Sequence, residues 1–471
     1  MVFASLEFLM LFFPLFLIVY ALVGKRQKNF TLMLASWIFY GWWSPMFLSL
    51  LVGITILVWV GGIAIERAPS ARWRSWRLGI SIGIIVLILA YYKYINLLVE
   101  TLNGLLGFAG TLPIEWQHVL LPIGLSFISL QGISYLIDVY RRTVPAEHNF
   151  IDFAAYKAMF SQLIAGPIIR YEWVHKELHN RPFDWVNFGQ GARRFMIGMS
   201  MKVLIADTLA PVADAAFALT EPSFADAWIG NIAYTLQLFF DFAGYSAMAI
   251  GIGQMLGFTF PENFNNPYVA RSIQDFWRRW HISLGSWLRD YLYIPLGGSR
   301  VGPVMVYVNL FLVMAISGLW HGADSWNFVL WGMAHGLAMM VHRAWHQAGY
   351  VMPALLGWGL TLLFVMLAWT LFRAPDFASA MSMYSGQFGL NGWGLGDVMQ
   401  LVLRPAHLFA VLLAIFAIVL PLLLPWLQAS VVPRMNRMAL EVIGLWPLFA
   451  FLLSFALIAS RGATPFLYFQ F

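Results

Sequence analysis

Residues 271–336 read RSIQDFWRRWHISLGSWLRDYLYIPLGGSR, then an apolar run, then SGLWHGADSWNFVLWGMAHG. Three histidines (His281, His321, His335) and three acids (Asp275, Asp290, Asp324) fall here, in a chain that spends few polar residues on its apolar segments. An ionisable group placed inside a membrane costs a few kcal/mol on insertion scales, so such a cluster beside apolar helices reads as a functional site. His321 is the sharpest case. It follows the apolar run at 304–319 and is framed as Trp320-His321-Gly322, where the glycine leaves room for something to approach the ring.

Outward from this stretch, the composition decides the class. The chain is 61% hydrophobic and 11% charged, against about 25% charged residues in a soluble domain. It reads as an all-α polytopic membrane protein forming a single domain over residues 1–471. The net charge of +6 does not point to nucleic acid, because the basic residues fall in short clusters between apolar segments, where they set topology. The chain has no cysteine, which excludes disulfides, cysteinyl acyl-enzymes and thiolate metal sites. The first apolar segment lacks a charged leader and a cleavage site, and is expected to be a retained transmembrane helix.

The apolar runs at 2–23, 30–43, 46–65, 78–98 and 119–139 are separated by alternating loops. Three carry clusters: Lys25, Arg26 and Lys28; Arg67, Arg72, Arg74 and Arg77; Arg141 and Arg142. The loops between carry no Lys or Arg. Excess Lys and Arg marks the cytoplasmic side, so the N-terminus is expected outside. Further spans are expected at 304–319, 328–345, 355–372, 408–427 and 440–457, for roughly ten to twelve membrane helices in all. A short amphipathic piece is expected near 377–388.

The middle third is less regular. Residues 150–167 (FIDFAAYKAMFSQLIAGP) suit a re-entrant or partly buried helix. Residues 189–219 carry Arg193, Arg194, Lys202 and Asp207, and read either as an interfacial helix or as the lining of a polar cavity. Asp241, Tyr245 and Ser246 interrupt the apolar run at 225–256, and PENFNNPY (261–268) must be irregular, which membrane depth tolerates only where protein or water surrounds it. Residues 273–292 are expected as one helix with Trp277, His281 and Leu284 on one side and Arg278, Arg279 and Arg289 elsewhere on its surface.

A neutral histidine can act as a general base toward a hydroxyl or thiol. The same residue in an apolar helix can also be a hydrogen-bonded packing residue. Metal binding by His281, His321, His335 and Asp290 has no HExxH-like spacing behind it, and no GxSxG elbow supports a Ser-His-Asp triad. A proton-relay transporter fits the composition, but the internal symmetry common in transporters is not visible.

WRRWHISLGSWLRDYLYIPLGG, then GLWHGA, then WGMAHG resemble the membrane-bound O-acyltransferase family. FASLEFLMLFFPLFL, LPIGLSF, LIAGP, DFAGYSAMAIGIG and ENFNNPY resemble its bacterial polysaccharide-acetylating branch, which includes the membrane subunits of alginate and cellulose O-acetylation systems. YGWWSPMFL leans toward the cellulose type. The resemblance covers almost the whole chain. It implies membrane helices around a central funnel, with the catalytic histidine at His321, a second family histidine at His335, and His281 as the histidine of the RRWH block. One block departs from the pattern: where the family commonly has FPHLIAGP, this chain has Phe160-Ser161-Gln162.

The resemblance further implies acetyl transfer from cytoplasmic acetyl-CoA, with no permanently bound cofactor, across the bacterial inner membrane. His321 would activate the acceptor hydroxyl, or carry the acetyl group itself. Candidate substrate-binding residues are Arg278, Arg279, His281, Asp290, Trp320, Tyr245 and Asn266. The arginines suit the phosphates of CoA, or equally lipid headgroups. The implied partners are a periplasmic acetyltransferase of the serine-hydrolase (SGNH/GDSL) type, the polysaccharide synthase machinery and membrane lipid. The alternatives are a D-alanyl transferase acting on teichoic acid and a non-enzymatic acyl or proton transporter.

Overall fold

The computed structural model describes residues 1–163, 166–322, 325–435, 437–462 and 464–467, and every regular element among them is helical. Asp324 and the Ile164-Ala165 pair of the LIAGP block lie outside the described residues. Chain contacts group the protein into two compact units, Met1–Ala192 with Ala249–Pro261, and Arg193–Met248 with Glu262–Phe471.

The first unit holds α1 (Phe13–Leu22), α2 (Lys28–Gly41), α3 (Pro45–Glu66), α4 (Ala71–Phe108), α5 (Leu125–Arg141), α6 (Phe150–Ala158) and α7 (Tyr171–His179). Two long helices, α8 (Trp185–Phe217) and α9 (Phe224–Met255), contribute to both units. The second unit adds α10 (Ile273–Arg279), α11 (Ile282–Leu288), α12 (Pro303–His321), α13 (Asn327–Gln347), α14 (Ala354–Arg373), α15 (Phe377–Gln387), α16 (Pro405–Ser430), α17 (Arg437–Gly444) and α18 (Trp446–Arg461). Helices α3, α12 and α16 each begin with proline. The first turn is where its missing N–H costs nothing and its fixed φ suits the helix.

Among the described residues seven helices, α3, α4, α8, α9, α12, α14 and α16, are long and apolar enough to cross a membrane. Two apolar stretches, Glu7–Leu22 and Trp446–Arg461, are shorter. Of the other expected spans, 119–139 forms the 17-residue α5 and 328–345 the 21-residue α13, neither of them among the seven, and two more diverge for local reasons. Helix α2 has only 14 residues. The run expected at 440–457 is two helices, because Pro447 starts a new one. Helix α6 is short and buried from Phe153 to Ala158, in keeping with the partly buried reading of 150–167. Helix α8 is a candidate span rather than a purely interfacial helix.

Two close approaches shape the second unit. A Cβ at Gly198 on α8 would meet the Gly244 carbonyl of α9 at 2.5 Å. A Cβ at Gly318 on α12 would lie 2.3 Å from the Phe328 carbonyl of α13, and one at Gly332 would lie 2.4 Å from the Met314 carbonyl. Only glycine permits backbones to touch in this way, a packing mode favoured between membrane helices. The second contact brings the end of α12 against the start of α13, and with it His321 against the residues preceding His335.

Candidate functional site

The expected single helix over 273–292 is broken. Helix α10 stops at Arg279 and α11 starts at Ile282, with His281 between them in the left-handed region at φ 43° and ψ 56°. The cause is the irregular ENFNNPY segment. Asn265 N–H donates to the Arg279 carbonyl at 2.9 Å and Ile282 N–H to the Asn263 carbonyl at 2.9 Å. The Asn263 side-chain oxygen accepts from Ser283 Oγ at 2.8 Å and from Ser283 N–H at 3.2 Å. A histidine held in the left-handed region stores strain of about 1–3 kcal/mol, which functional sites commonly carry.

His281 is buried, and its Nδ1 lies 3.2 Å from the Asn263 side-chain oxygen. That oxygen can only accept, so Nδ1 carries the hydrogen. Burial pushes the ring to about 3, far below an ordinary imidazole, so it is neutral. Its ring packs edge-on against Phe242 at 4.8 Å and lies 6.5 Å from Trp320.

His321 closes α12 and is 4% exposed, enough to set it inside the protein rather than at its surface. Trp320, Trp331 and Phe372 surround it with ring centroids at 4.8, 5.2 and 5.4 Å. The room expected beside it at Gly322 is taken by Phe328, whose Cβ and ring atoms stand 2.6–2.8 Å from where a Cβ would sit. His335 is fully buried one turn beyond Trp331 on α13, with their rings 4.8 Å apart. Trp277 Nε1 donates to His335 Nδ1 at 3.2 Å. Phe364 packs against the same ring at 5.1 Å. Trp331 therefore touches both histidines of the WHG and AHG blocks, and Trp320 joins His321 to His281.

The other candidates are placed as follows. Tyr245 is buried on α9 and packs on Phe466 at 4.7 Å, and Phe466 lies 5.8 Å from the Phe242 that backs His281. Asn266 takes a left-handed conformation at φ 46° and donates its amide to the Ile418 carbonyl at 2.7 Å. Arg278 is exposed on α10. Arg279 is tied to Asp275 at 2.8 Å and to the Asn265 carbonyl at 3.3 Å. Asp290 pairs with Arg289 at 2.7 Å. Ring contacts and hydrogen bonds thus knit His281, His321, His335 and Trp320 into one aromatic cluster. The charged candidates lie outside this cluster, with Arg279 and Asp290 held by ion-pair partners and Arg278 exposed.

Sequence reasoning missed four members of this arrangement. Trp331 carried a signal, being four residues before His335 and so on the same helix face. Asn263 and the glycine pair Gly318 and Gly332 act through contacts distant in sequence, which no local pattern announces. The pairing of three charges already singled out in the sequence was also missed. Lys202 is buried on a wide, π-type turn of α8 (Met201–Ala206), pairs with Asp207 on the same helix, and reaches Asp241 of α9 at 2.8 Å. Asp241 accepts Leu467 N–H on its other oxygen at 2.8 Å.

The first unit contains a different cluster, with ligand atoms of Glu147, Asp152 and His179 all within 4.8 Å of one another. Its carboxylates are already occupied. Asp152 accepts from Asn29 at 2.6 Å and from Asn149 at 2.9 Å, and Glu147 from Asn149 N–H at 2.9 Å and Tyr171 OH at 2.7 Å. That is the pattern of a hydrogen-bonded scaffold rather than of an open cation site.

Apolar helices enclosing buried, aromatic-ringed histidines define a multi-pass membrane protein with polar side chains inside. Residues 118–383 match the pattern of the membrane-bound O-acyltransferase family. The chain is 42% identical to a probable alginate O-acetylase AlgI of Pseudomonas putida, over all of both chains. It is 47% identical to one from Pseudomonas syringae, over 84% of this chain and 77% of that one. It is also 38% identical to a peptidoglycan O-acetyltransferase of Helicobacter pylori, over 82% of this chain and 80% of that one. The chain belongs to the membrane-bound O-acyltransferase family and is an O-acyltransferase.

Proposed function

We propose that the protein O-acetylates an exported polysaccharide of the alginate type, taking acetyl groups from acetyl-CoA on the cytoplasmic side of the bacterial inner membrane. The alternation of basic and basic-poor loops supports an N-terminus outside, so that donor and acceptor approach from opposite faces. The alginate-type acceptor rests on the names of the relatives rather than on the lean of the YGWWSPMFL block. A periplasmic partner with a serine nucleophile would receive or relay the acetyl group.

The observation that carries this reading is the setting of His321. It is a buried histidine at a helix end, ringed by Trp320, Trp331 and Phe372 and one tryptophan away from a second histidine. In this role His321 takes the proton of the acceptor hydroxyl, and the oxygen attacks the thioester carbonyl carbon. The carbon–sulfur bond then breaks, and the departing thiolate takes the proton back from His321. Water is excluded by the aromatic walls, so the thioester meets the chosen hydroxyl instead of hydrolysing.

The test is CoA release in detergent from acetyl-CoA, with an oligo-uronate acceptor or the periplasmic partner supplied. Transfer needs no gradient, so release is expected from the purified protein. His321→Ala should lower it by about 10²–10⁴-fold, the usual contribution of a general base. No release from folded wild-type protein with both acceptors present would overturn acetyl-CoA as the donor and favour transport. Near-normal release by His321→Ala would overturn the base assignment.

A further inference from the structure

We propose that His335 serves acyl transfer as a neutral N–H donor rather than as a base, and that Trp277 is the positioning residue that fixes its tautomer. The inference rests on the acetyl-transfer reading above for the identity of the group that receives the hydrogen bond.

A tryptophan Nε1–H can donate but never accept. Trp277 Nε1 stands 3.2 Å from His335 Nδ1, so Nδ1 presents its lone pair to Trp277, and the ring's hydrogen is on Nε2. An imidazolium, with hydrogens on both nitrogens, has nothing to offer the indole and would lose this bond. The rings around His335 favour the same state. Trp277, Trp331, Phe364 and Phe276 pack on it at 5.2, 4.8, 5.1 and 6.3 Å, a shell that offers no counter-charge.

His335 Nε2 is buried and has no hydrogen-bond partner among the described residues, and the same holds for Trp331 Nε1 on the adjoining ring. Buried donors are almost always paired, and each exception asks for an explanation. Here two donors sit on touching rings, the Trp331 ring lies 5.2 Å from that of His321, and the described residues supply neither donor with an acceptor. A carbonyl oxygen is the acceptor that acyl transfer brings. As the acceptor oxygen bonds to the carbonyl carbon, negative charge develops on that oxygen. A preorganised N–H in a dry site is then worth far more than in water. His335 keeps its proton throughout, while the proton of the acceptor hydroxyl travels to His321 and on to the CoA sulfur.

His281 sharpens the assignment by contrast. Its Nδ1–H is held by Asn263, so the two histidines are fixed in opposite tautomers by neighbours of opposite hydrogen-bonding character. Such second partners set which nitrogen of a histidine is available.

The test uses amide replacements. Glutamine places an amide N–H near the position of Nε2, and asparagine places one near Nδ1. With acetyl-CoA as probe, His335→Ala and His335→Asn should lose about 10²–10³-fold in CoA release, the effect of removing one oxyanion donor. His335→Gln should retain distinctly more. Trp277→Phe keeps the ring and removes the donor, and should cost about three- to tenfold, the worth of one neutral hydrogen bond. Nitrogen NMR of histidine-labelled protein, with the His335 signal identified by its loss in His335→Gln, should show a protonated Nε2 and bare Nδ1. In Trp277→Phe that signal should become a tautomer mixture.

A bare Nε2 in the wild type would overturn the proposal, and so would a folded His335→Gln protein as inactive as His335→Ala. The NMR arm needs no turnover. A protein with the Nε2–H tautomer but no CoA release would therefore count against the acetyl-transfer reading and not against the tautomer. Should Trp277→Phe fail to fold, the glutamine and asparagine pair and the wild-type spectrum still decide.

Discussion

Lys202 and His335 are both buried polar side chains of the second unit, and their neighbours treat them in opposite ways. Lys202 meets two carboxylates, and one of those, Asp241, is satisfied a second time by Leu467 N–H. His335 receives one hydrogen bond, from Trp277, and otherwise faces aromatic rings, with Nε2 unpaired among the described residues. The first arrangement answers a buried charge with more charge, which fixes how α8 and α9 pack where Gly198 meets Gly244. The second leaves hydrogen-bonding capacity in hand, one ring away from the histidine to which the proposed function gives the acceptor proton. Buried polar groups thus divide into those the fold has used up and those it has kept available, and satisfaction separates the two better than residue type does.

The strongest way to break this contrast is Lys202→Met. Removing one partner of a buried ionic group leaves uncompensated charge, here two carboxylates, and costs about 3–5 kcal/mol. The expected result is a large fall in the melting temperature of the detergent-purified protein, or in the folded yield. CoA release per folded molecule should hold near wild type. A stable Lys202→Met protein with lost activity would reverse the comparison and move the ionic group into the catalytic machinery.

The parts of this contrast were unequally visible in the amino-acid sequence. The spans α3, α12, α14 and α16 lie within a few residues of the apolar runs at 46–65, 304–319, 355–372 and 408–427, because a membrane helix must be continuously apolar. His281, His321 and His335 stood out because polar residues are scarce around them. The rings and turns that join them did not. The break at His281 depends on Asn263 and Asn265, residues that form the far wall of a turn and carry no helical period. The meeting of α12 with α13 depends on two glycines whose role is the absence of a side chain. Lys202 and Asp207 are five apart, a spacing that an ordinary α-helix does not align but the π-type turn at Met201–Ala206 does. That turn has no local sequence signature. Asp241, Lys202 and Asp207 were each visible as charges among apolar residues, while their pairing was not.

A gentler probe of the satisfied class is Glu147→Gln in the first unit. The amide keeps one acceptor and loses the other, so either the Tyr171 hydroxyl or the Asn149 N–H goes unanswered. The expected cost is about 1–3 kcal/mol of stability, read as a moderate drop in melting temperature with CoA release per folded molecule unchanged. Chelator treatment of the wild type should leave the melting temperature where it was, since each carboxylate oxygen of Glu147 and Asp152 already accepts an N–H or O–H. A clear chelator-induced drop would show that a cation, not hydrogen bonding, holds this cluster.

The smallest expected effect separates the surface arginines from the buried cluster. Arg279 forms an i,i+4 pair with Asp275, each side chain about 30% exposed, and such pairs contribute only about 0.3–0.5 kcal/mol. Neither Arg278→Ala nor Arg279→Ala should change the melting temperature noticeably. If this face of α10 receives the CoA phosphates, the two substitutions should still differ. Arg279 already spends its guanidinium on Asp275 and on the Asn265 carbonyl, whereas Arg278 is exposed and can turn toward an anion. Arg278→Ala should therefore raise the KM for acetyl-CoA more than Arg279→Ala does, with kcat retained in both, because uniform binding is lost while the reacting centre is untouched. Raising salt should increase the wild-type KM in the same direction, since exposed charge pairs are screened over about 8–10 Å at physiological ionic strength, and Arg278→Ala should flatten that dependence. An unchanged KM and an unchanged salt slope in Arg278→Ala would remove α10 from donor binding and leave its arginines as anchors to lipid headgroups.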